Sequence, residues 1–134
     1  MYAVPPLLNL VVLRSGDIER AAKFYSAMGL IFAKHRHGNG PEHFASELNG
    51  FVFEIYPLGA GTPTIAARIG FSIDDVDSLL PALEAAGGKV TSPPHDSEWG
   101  RRAVIKDPDG HTVELLTPKP KGMGSAGDPG PRSN

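Results

Sequence analysis

The sequence predicts an α+β fold of two tandem βαβββ modules. Three observations carry this expectation: a gap-free internal repeat of a capped amphipathic stretch, extended runs around each copy, and a matching carboxylate-bearing strand closing each copy. The same spacing separates Asp17 from Asp75, Ile18 from Val76, Tyr25 from Leu83 and Gly29 from Gly87. In each copy an Asp precedes an apolar stripe at helical spacing, suited to cap the first free N–H groups, and a glycine follows to accept the left-handed conformation. Pro81 falls near the sixth position of the second helix and is expected to kink or shorten it.

Strands are expected at 7–13 and 65–73 ahead of the helices. After them come 30–37, 43–48 and 51–56 in the first module, and 89–92, 101–106 and 112–117 in the second. The chain thus divides into module one at 7–57, a Gly- and Pro-containing link, and module two at 64–118. Together they make one domain over 1–118. Residues 119–134 are rich in glycine and proline and carry little that is apolar, so a disordered tail is expected there.

With 13 basic and 15 acidic side chains in 134 residues, the formal charge of −2 points to neither nucleic acid nor an anionic membrane as partner. The absence of cysteine excludes disulfides and thiolate chemistry and leaves any metal to His and carboxylate ligands. Residues 1–13 lack a basic head, contain two prolines and are too short to span a bilayer, so the expectation is a soluble, cytoplasmic protein.

Two turns set which side chains meet. Asn49-Gly50, between Leu48 and Phe51, suits a two-residue hairpin that opposes Ala45 to Glu54 and His43 to Tyr56, making His43 and Glu54 diagonal neighbours. Pro108 forbids that geometry in Asp107-Pro108-Asp109-Gly110. A type I turn with Gly110 as a bulge is expected instead, opposing Val104 to Glu114 and placing Arg102 diagonally beside it. In the fifth strand Ile65, Ala67, Ile69, Phe71 and Ile73 make the apolar face, which leaves Arg68 on the other; the repeat equates Arg68 with Leu10. Four positions, Leu10, Glu54, Arg68 and Glu114, are therefore expected to converge.

These landmarks resemble the vicinal oxygen chelate superfamily, which includes glyoxalase I, extradiol dioxygenases, fosfomycin-resistance enzymes, methylmalonyl-CoA epimerase and bleomycin-resistance proteins. The resemblance spans 7–118. It rests on Phe24-Tyr25 before Met28-Gly29-Leu30, on the strand-to-helix junction from Phe71 to Val76, and on Asp107-Pro108-Asp109-Gly110 followed by Glu114-Leu115. It implies a cupped mixed sheet with a small-molecule site inside it, and a homodimer. In metal-dependent members a divalent ion is held at the positions matching Leu10, Glu54, Arg68 and Glu114. Leucine ligates nothing and a guanidinium offers only donors, so the typical glyoxalase I, extradiol dioxygenase and fosfomycin-resistance activities are not expected.

No cofactor is expected. The alternative is a divalent metal on Glu54 and Glu114, with or without His43; the two carboxylates alone would suit Mg²⁺ or Mn²⁺ better than Zn²⁺. Arg68 is expected to take the electrostatic role of the metal by neutralising one or both glutamates, so that Arg68→Met costs about 3–5 kcal/mol. Glu54, Glu114 and His43 are the candidate catalytic groups. Arg68, Leu10, Tyr56, Trp99 and Arg102 are the candidate binding groups, with Trp99 over the ligand, packed under a loop at 92–99, or at a dimer interface. His35 and His37 share one strand face and read either as a solvated strand end or as residues at the mouth of the site. The reading is a binder of a small oxygenated metabolite with isomerase- or lyase-type chemistry. The competing reading is a non-catalytic drug- or metabolite-sequestering protein resembling the bleomycin-resistance proteins.

Overall fold

A computed structural model of the chain describes residues 4–120. The elements run β1 (Leu10–Ser15), α1 (Ile18–Ala27), β2 (Ala33–His35), β3 (His43–Leu48), β4 (Phe51–Pro57), β5 (Arg68–Ser72), α2 (Val76–Ala85), β6 (Lys89–Ser97), β7 (Gly100–Lys106) and β8 (Thr112–Pro118). They form two four-stranded mixed sheets, ordered β1-β4-β3-β2 and β5-β8-β7-β6, each beginning with a parallel pair. This is the α+β fold of two βαβββ modules. The chain divides into two units between Thr64 and Ile65.

Both helices begin and end where local chemistry directs. Asp17 accepts from Arg20 N–H and Asp75 from Ser78 N–H, and Gly29 and Gly87 follow with φ of 113° and 100°. Pro81 does not shorten α2, which has the same ten residues as α1. The lost backbone bond is offset by burial of Val76, Leu80 and Leu83 on the opposite face. In the first unit α1 buries Ala21, Ala22, Phe24 and Tyr25 beside Leu13, Phe53 and Ile55; Tyr25 meets Phe24 and Phe53 edge-on at 4.9 Å each. The second core gathers the α2 residues with Ala103, Ile105, Val113 and Leu115.

Strand ends depart from the expectation where pairing, not composition, decides them. β1 starts at Leu10, opposite Val52, leaving Leu7 and Leu8 exposed. It runs on through Arg14 to Ser15, whose hydroxyl accepts from Asp17 N–H. β5 is shorter than expected because its ladder with β8 spans Arg68 to Ser72, and Ile65 is exposed. β2 covers only Ala33–His35 at a sheet edge, so His37 lies beyond it. The loop expected at 92–99 is instead strand through Ser97: β6 is the other sheet's edge strand, where Pro93 and Pro94 are tolerated beside two register shifts. Of the tail expected at 119–134, Lys119 donates its N–H to Trp99 O at 3.1 Å, and 121–134 lie outside the described residues.

Candidate functional site

In the first unit the Asn49-Gly50 turn has φ of 53° and 81°, which sets Ala45 opposite Glu54 as expected. Phe53 and Ile55 turn inward to the core, so Glu54 and Tyr56 share the other face with Val12 and Arg14, their β1 partners. The His43 ring stacks on Tyr56 at 4.1 Å and 8°, and the Arg14 guanidinium lies 5.3 Å from the Tyr56 ring centre. His35 is opposite His43 in the β2–β3 ladder. Arg14, Tyr56, His43 and His35 thus form a single row crossing four strands. His37 joins it from beyond β2, its ring 5.1 Å from that of His43 and parallel to that of His35 at 6.2 Å.

His43 is 1% exposed. Its Nδ1 lies 3.2 Å from Pro41 O, and since a carbonyl only accepts, Nδ1 carries the proton. Nε2 is buried with no hydrogen-bond partner and lies 3.7 Å from Glu54 Oε2. A bare imidazole lone pair and a carboxylate oxygen thus face each other, and only a proton or another cation between them makes that arrangement favourable.

In the second unit Gly110, with φ of 103°, closes the turn after Asp107 and opposes Val104 to Glu114. Gly70, facing Glu114 from β5, offers no side chain, and Arg68 reaches the carboxylate diagonally: its Nε donates to Oε2. Arg102 approaches from β7, with Nη2 2.9 Å from Oε1. Burial pushes the Glu114 carboxyl up, but the Arg68 and Arg102 guanidiniums outweigh it and hold the group below its ordinary value. Both oxygens of Glu114 are therefore engaged by cations. Within the second unit Arg68 pairs with Glu114, and within the first the ion-pair partner of Glu54 is His43.

The donor set does not fit the divalent ion held by metal-dependent members at these positions. Leu10 has no ligand atom, Arg68 is itself a cation, and Glu114 is already occupied by guanidiniums. Leu10 shares the face of Glu54 in the first unit and is 48% exposed. Trp99 fills the β6–β7 turn, its N–H on Ser97 Oγ at 3.3 Å.

One cluster escaped the sequence reading. Asp107 Oδ1 accepts from the N–H groups of Asp109, Gly110 and His111 at 2.9 Å each, and Oδ2 lies 2.8 Å from His111 Nδ1. Asp107, Asp109 and His111 each place a potential ligand atom within 4.8 Å of the others. The Asp107 carboxylate is committed to the turn itself, an arrangement for which an Asp followed two residues later by Asp-Gly-His is the only sequence signal.

The profile of the Glyoxalase/Bleomycin resistance protein/Dioxygenase superfamily matches residues 7–115, and the chain belongs to this family. Among curated relatives, a probable lactoylglutathione lyase of Vibrio parahaemolyticus is 30% identical over 133 residues, covering 87% of this chain and 94% of that protein. A probable chloroplastic lactoylglutathione lyase of Arabidopsis thaliana is 34% identical over 131 residues, covering 82% of this chain and 36% of that protein. The chain spans less than half the length of its plant relatives. TnmS3, an antibiotic binding protein from Streptomyces sp. CB03234, superposes with a TM-score of 0.70 at 23% identity, over 88% of this chain and 100% of that one. A glyoxalase-related enzyme from Fulvimarina pelagi gives 0.67 at 24% identity, over 83% and 87%. These structures share the fold. No helix among the described residues is long and apolar enough to cross a membrane.

Proposed function

We propose that this chain binds a small, oxygen-bearing, anionic metabolite and catalyses an isomerase- or lyase-type proton transfer on it without a metal at the family's usual position. The observation that carries the reading is the Arg68–Glu114–Arg102 triad. Two guanidiniums around one carboxylate leave a net positive charge, and Arg68, with 42% of its side chain exposed, presents it to solvent. Such a group attracts a carboxylate or enolate oxygen. In the other unit the His43–Glu54 pair supplies a buried acceptor beside a carboxylate, the elements of an acid–base pair. Leu10, Tyr56 and Trp99 are proposed as further contacts to the ligand, and a homodimer, checked by sedimentation velocity, as the working assembly.

The names of the lactoylglutathione lyase relatives raise the glyoxalase reaction as an alternative, but Leu10 and Arg68 stand where that chemistry needs ligands. A sequestering binder is the second reading, favoured by the same two replacements. The positive triad counts against cationic drugs as its cargo.

The test is a panel of small 2-hydroxy and 2-oxo carboxylates, read by thermal shift and by solvent deuterium exchange at the carbon next to the carbonyl. A ligand that stabilises the wild type, loses its effect in Arg68→Met, and exchanges deuterium except in Glu54→Gln supports the enzyme. Stabilisation without exchange supports the binder. Thioester formation from methylglyoxal and glutathione would overturn the reading.

A further inference from the structure

We infer that the second module carries a subsite of its own for a phosphoryl group, the dianion being held by Lys106, Lys89 and the Thr112 hydroxyl. The inference deepens the proposed function by giving its ligand a second anionic group, and it rests on that reading only for the ligand's other end.

Register builds the subsite. Arg68 is opposite Thr112 in the β5–β8 ladder, Thr112 opposite Lys106 in β7–β8, and Lys106 opposite Lys89 in β6–β7. Opposed residues share a face, so these four form a single row across the whole second sheet. Ile105 and Val113 turn inward to the core, which puts the row on the face turned away from α2, next to the row of Glu114.

Three features argue for an anion there. The first is the pairing of like charges. Lys89 and Lys106 stand directly opposite each other, which destabilises a strand pair unless an anion lies between them, and neither has a carboxylate partner among the described residues. The second is the local charge balance. The chain is formally −2, yet the strand residues of this face supply Arg68, Lys89, Arg102 and Lys106 against Glu114 alone. Both Glu114 oxygens are engaged by the arginines, so the two lysines are left without a counter-charge. The third is the donor geometry. Half-buried Lys106 donates from Nζ to Thr112 Oγ1 at 2.7 Å, which fixes the ammonium and leaves it two further hydrogens; the hydroxyl, here the acceptor, keeps its own hydrogen to donate. Two ammoniums and a hydroxyl match the charge and the acceptor oxygens of a phosphoryl dianion, towards which lysine acts as a point charge. A carboxylate would leave one ammonium unneutralised.

Only β8 separates β5 from β7, so the Arg68 and Lys106 backbones stand about 10 Å apart. A small acid whose carboxylate meets Arg68 therefore reaches Lys106 with a phosphate ester at its far end. The substrate class that follows is a phosphorylated 2-hydroxy or 2-oxo acid, with the phosphoryl group as an anchor that takes no part in the proton transfer.

The test is titration of the full chain with inorganic phosphate at constant ionic strength, followed by phosphorus NMR, and then calorimetric titration with 3-phosphoglycerate and with glycerate. The expected result is saturable phosphate binding that weakens at least about tenfold in Lys106→Met and severalfold in Lys89→Met and Thr112→Val, but not in Lys23→Met, which removes an exposed lysine of α1. 3-Phosphoglycerate should bind at least about tenfold more tightly than glycerate, and Lys106→Met should remove the difference. Absence of saturable binding would overturn the inference. Equal weakening in Lys23→Met would reduce it to general attraction, and binding kept in Lys106→Met but lost in Arg68→Met would move the anion to the triad; either result overturns it. Phosphate binding with no gain for 3-phosphoglycerate would support a subsite for free phosphate and overturn its link to the ligand at Arg68. Inorganic phosphate is read without any metabolite, so failure here leaves the deuterium-exchange test of the proposed function standing, and failure of that test leaves the phosphate result standing.

Discussion

Arg102 and Glu114 lie diagonally across β7 and β8, Nη2 2.9 Å from Oε1, and each side chain is only 12% exposed. This pair, more than the half-exposed Arg68 contact, is the buried part of the triad. Its members therefore differ in what their removal costs. Arg68→Met leaves Glu114 with Arg102 and should cost about 1 kcal/mol or less, the range of exposed pairs, instead of the 3–5 kcal/mol expected where loss of Arg68 leaves a buried charge unpaired. Glu114→Gln strands the Arg102 guanidinium and should cost about 3 kcal/mol or more. Urea denaturation of the two variants checks the order, and equal costs would mean that Arg68 contributes as a buried partner.

The same triad sets a pH dependence. The folded-state Glu114 carboxyl is depressed by its guanidiniums, so it contributes stability above the unfolded-state value, about 4.3, and that contribution is lost as pH falls through the folded-state value. Glutamine has nothing to titrate. The stability gap between wild type and Glu114→Gln should be flat between about pH 6 and 8 and narrow below about pH 4. Denaturant melts across that range measure it; a gap that widens in acid would contradict the assignment.

What was legible in the sequence follows the range of the interactions involved. Asp17, Asp75, Gly29 and Gly87 act on their own neighbours, so the helix limits could be read directly. The Asn49-Gly50 and Asp107-to-Gly110 turns fix register through local backbone conformation, and from register came the His43–Glu54 and Arg102–Glu114 neighbours. Strand ends were less legible because partners decide them: β1 lives on a parallel ladder with β4, and no local chemistry sets that register. For the same reason Arg14 over Tyr56 was missed. β6 was cut short at Pro93 and Pro94, since a proline's tolerance depends on the strand being at an edge, which is a property of the whole sheet.

Asp107 offers a test of the turn that places Glu114. Its carboxylate takes three backbone N–H groups and faces His111 Nδ1, and both residues are buried. Asp107→Ala deprives all four donors at once and should cost about 3–5 kcal/mol, whereas Asp107→Asn keeps an oxygen for the backbone and should cost clearly less. Calorimetric melting of both variants checks this. A small loss in Asp107→Ala would mean that water replaces the carboxylate and that the turn does not depend on it.

Gly100 tests whether the β7–β8 ladder can bear a side chain where it begins. Its φ is 141°, and a Cβ there would lie 2.0 Å from Thr117 O and 3.0 Å from Pro118 Cα and Lys119 N. These are backbone atoms of the adjoining strand and its exit, so no side-chain rotation relieves the overlap. Relief would require separating β8 from β7 at the Gly100–Pro118 pair, two residues from Arg102. Gly100→Ala should therefore cost about 4 kcal/mol or more, at the upper end for single substitutions. In any fraction that folds, amide exchange should quicken first at Arg101 and Thr117. Gly110→Ala, at a site with φ of 103° and nothing within 4 Å of the added carbon, is the comparison: it carries the backbone strain without the clash, and should cost about 1–2 kcal/mol. Equal losses in the two variants would assign the effect at Gly100 to backbone conformation alone.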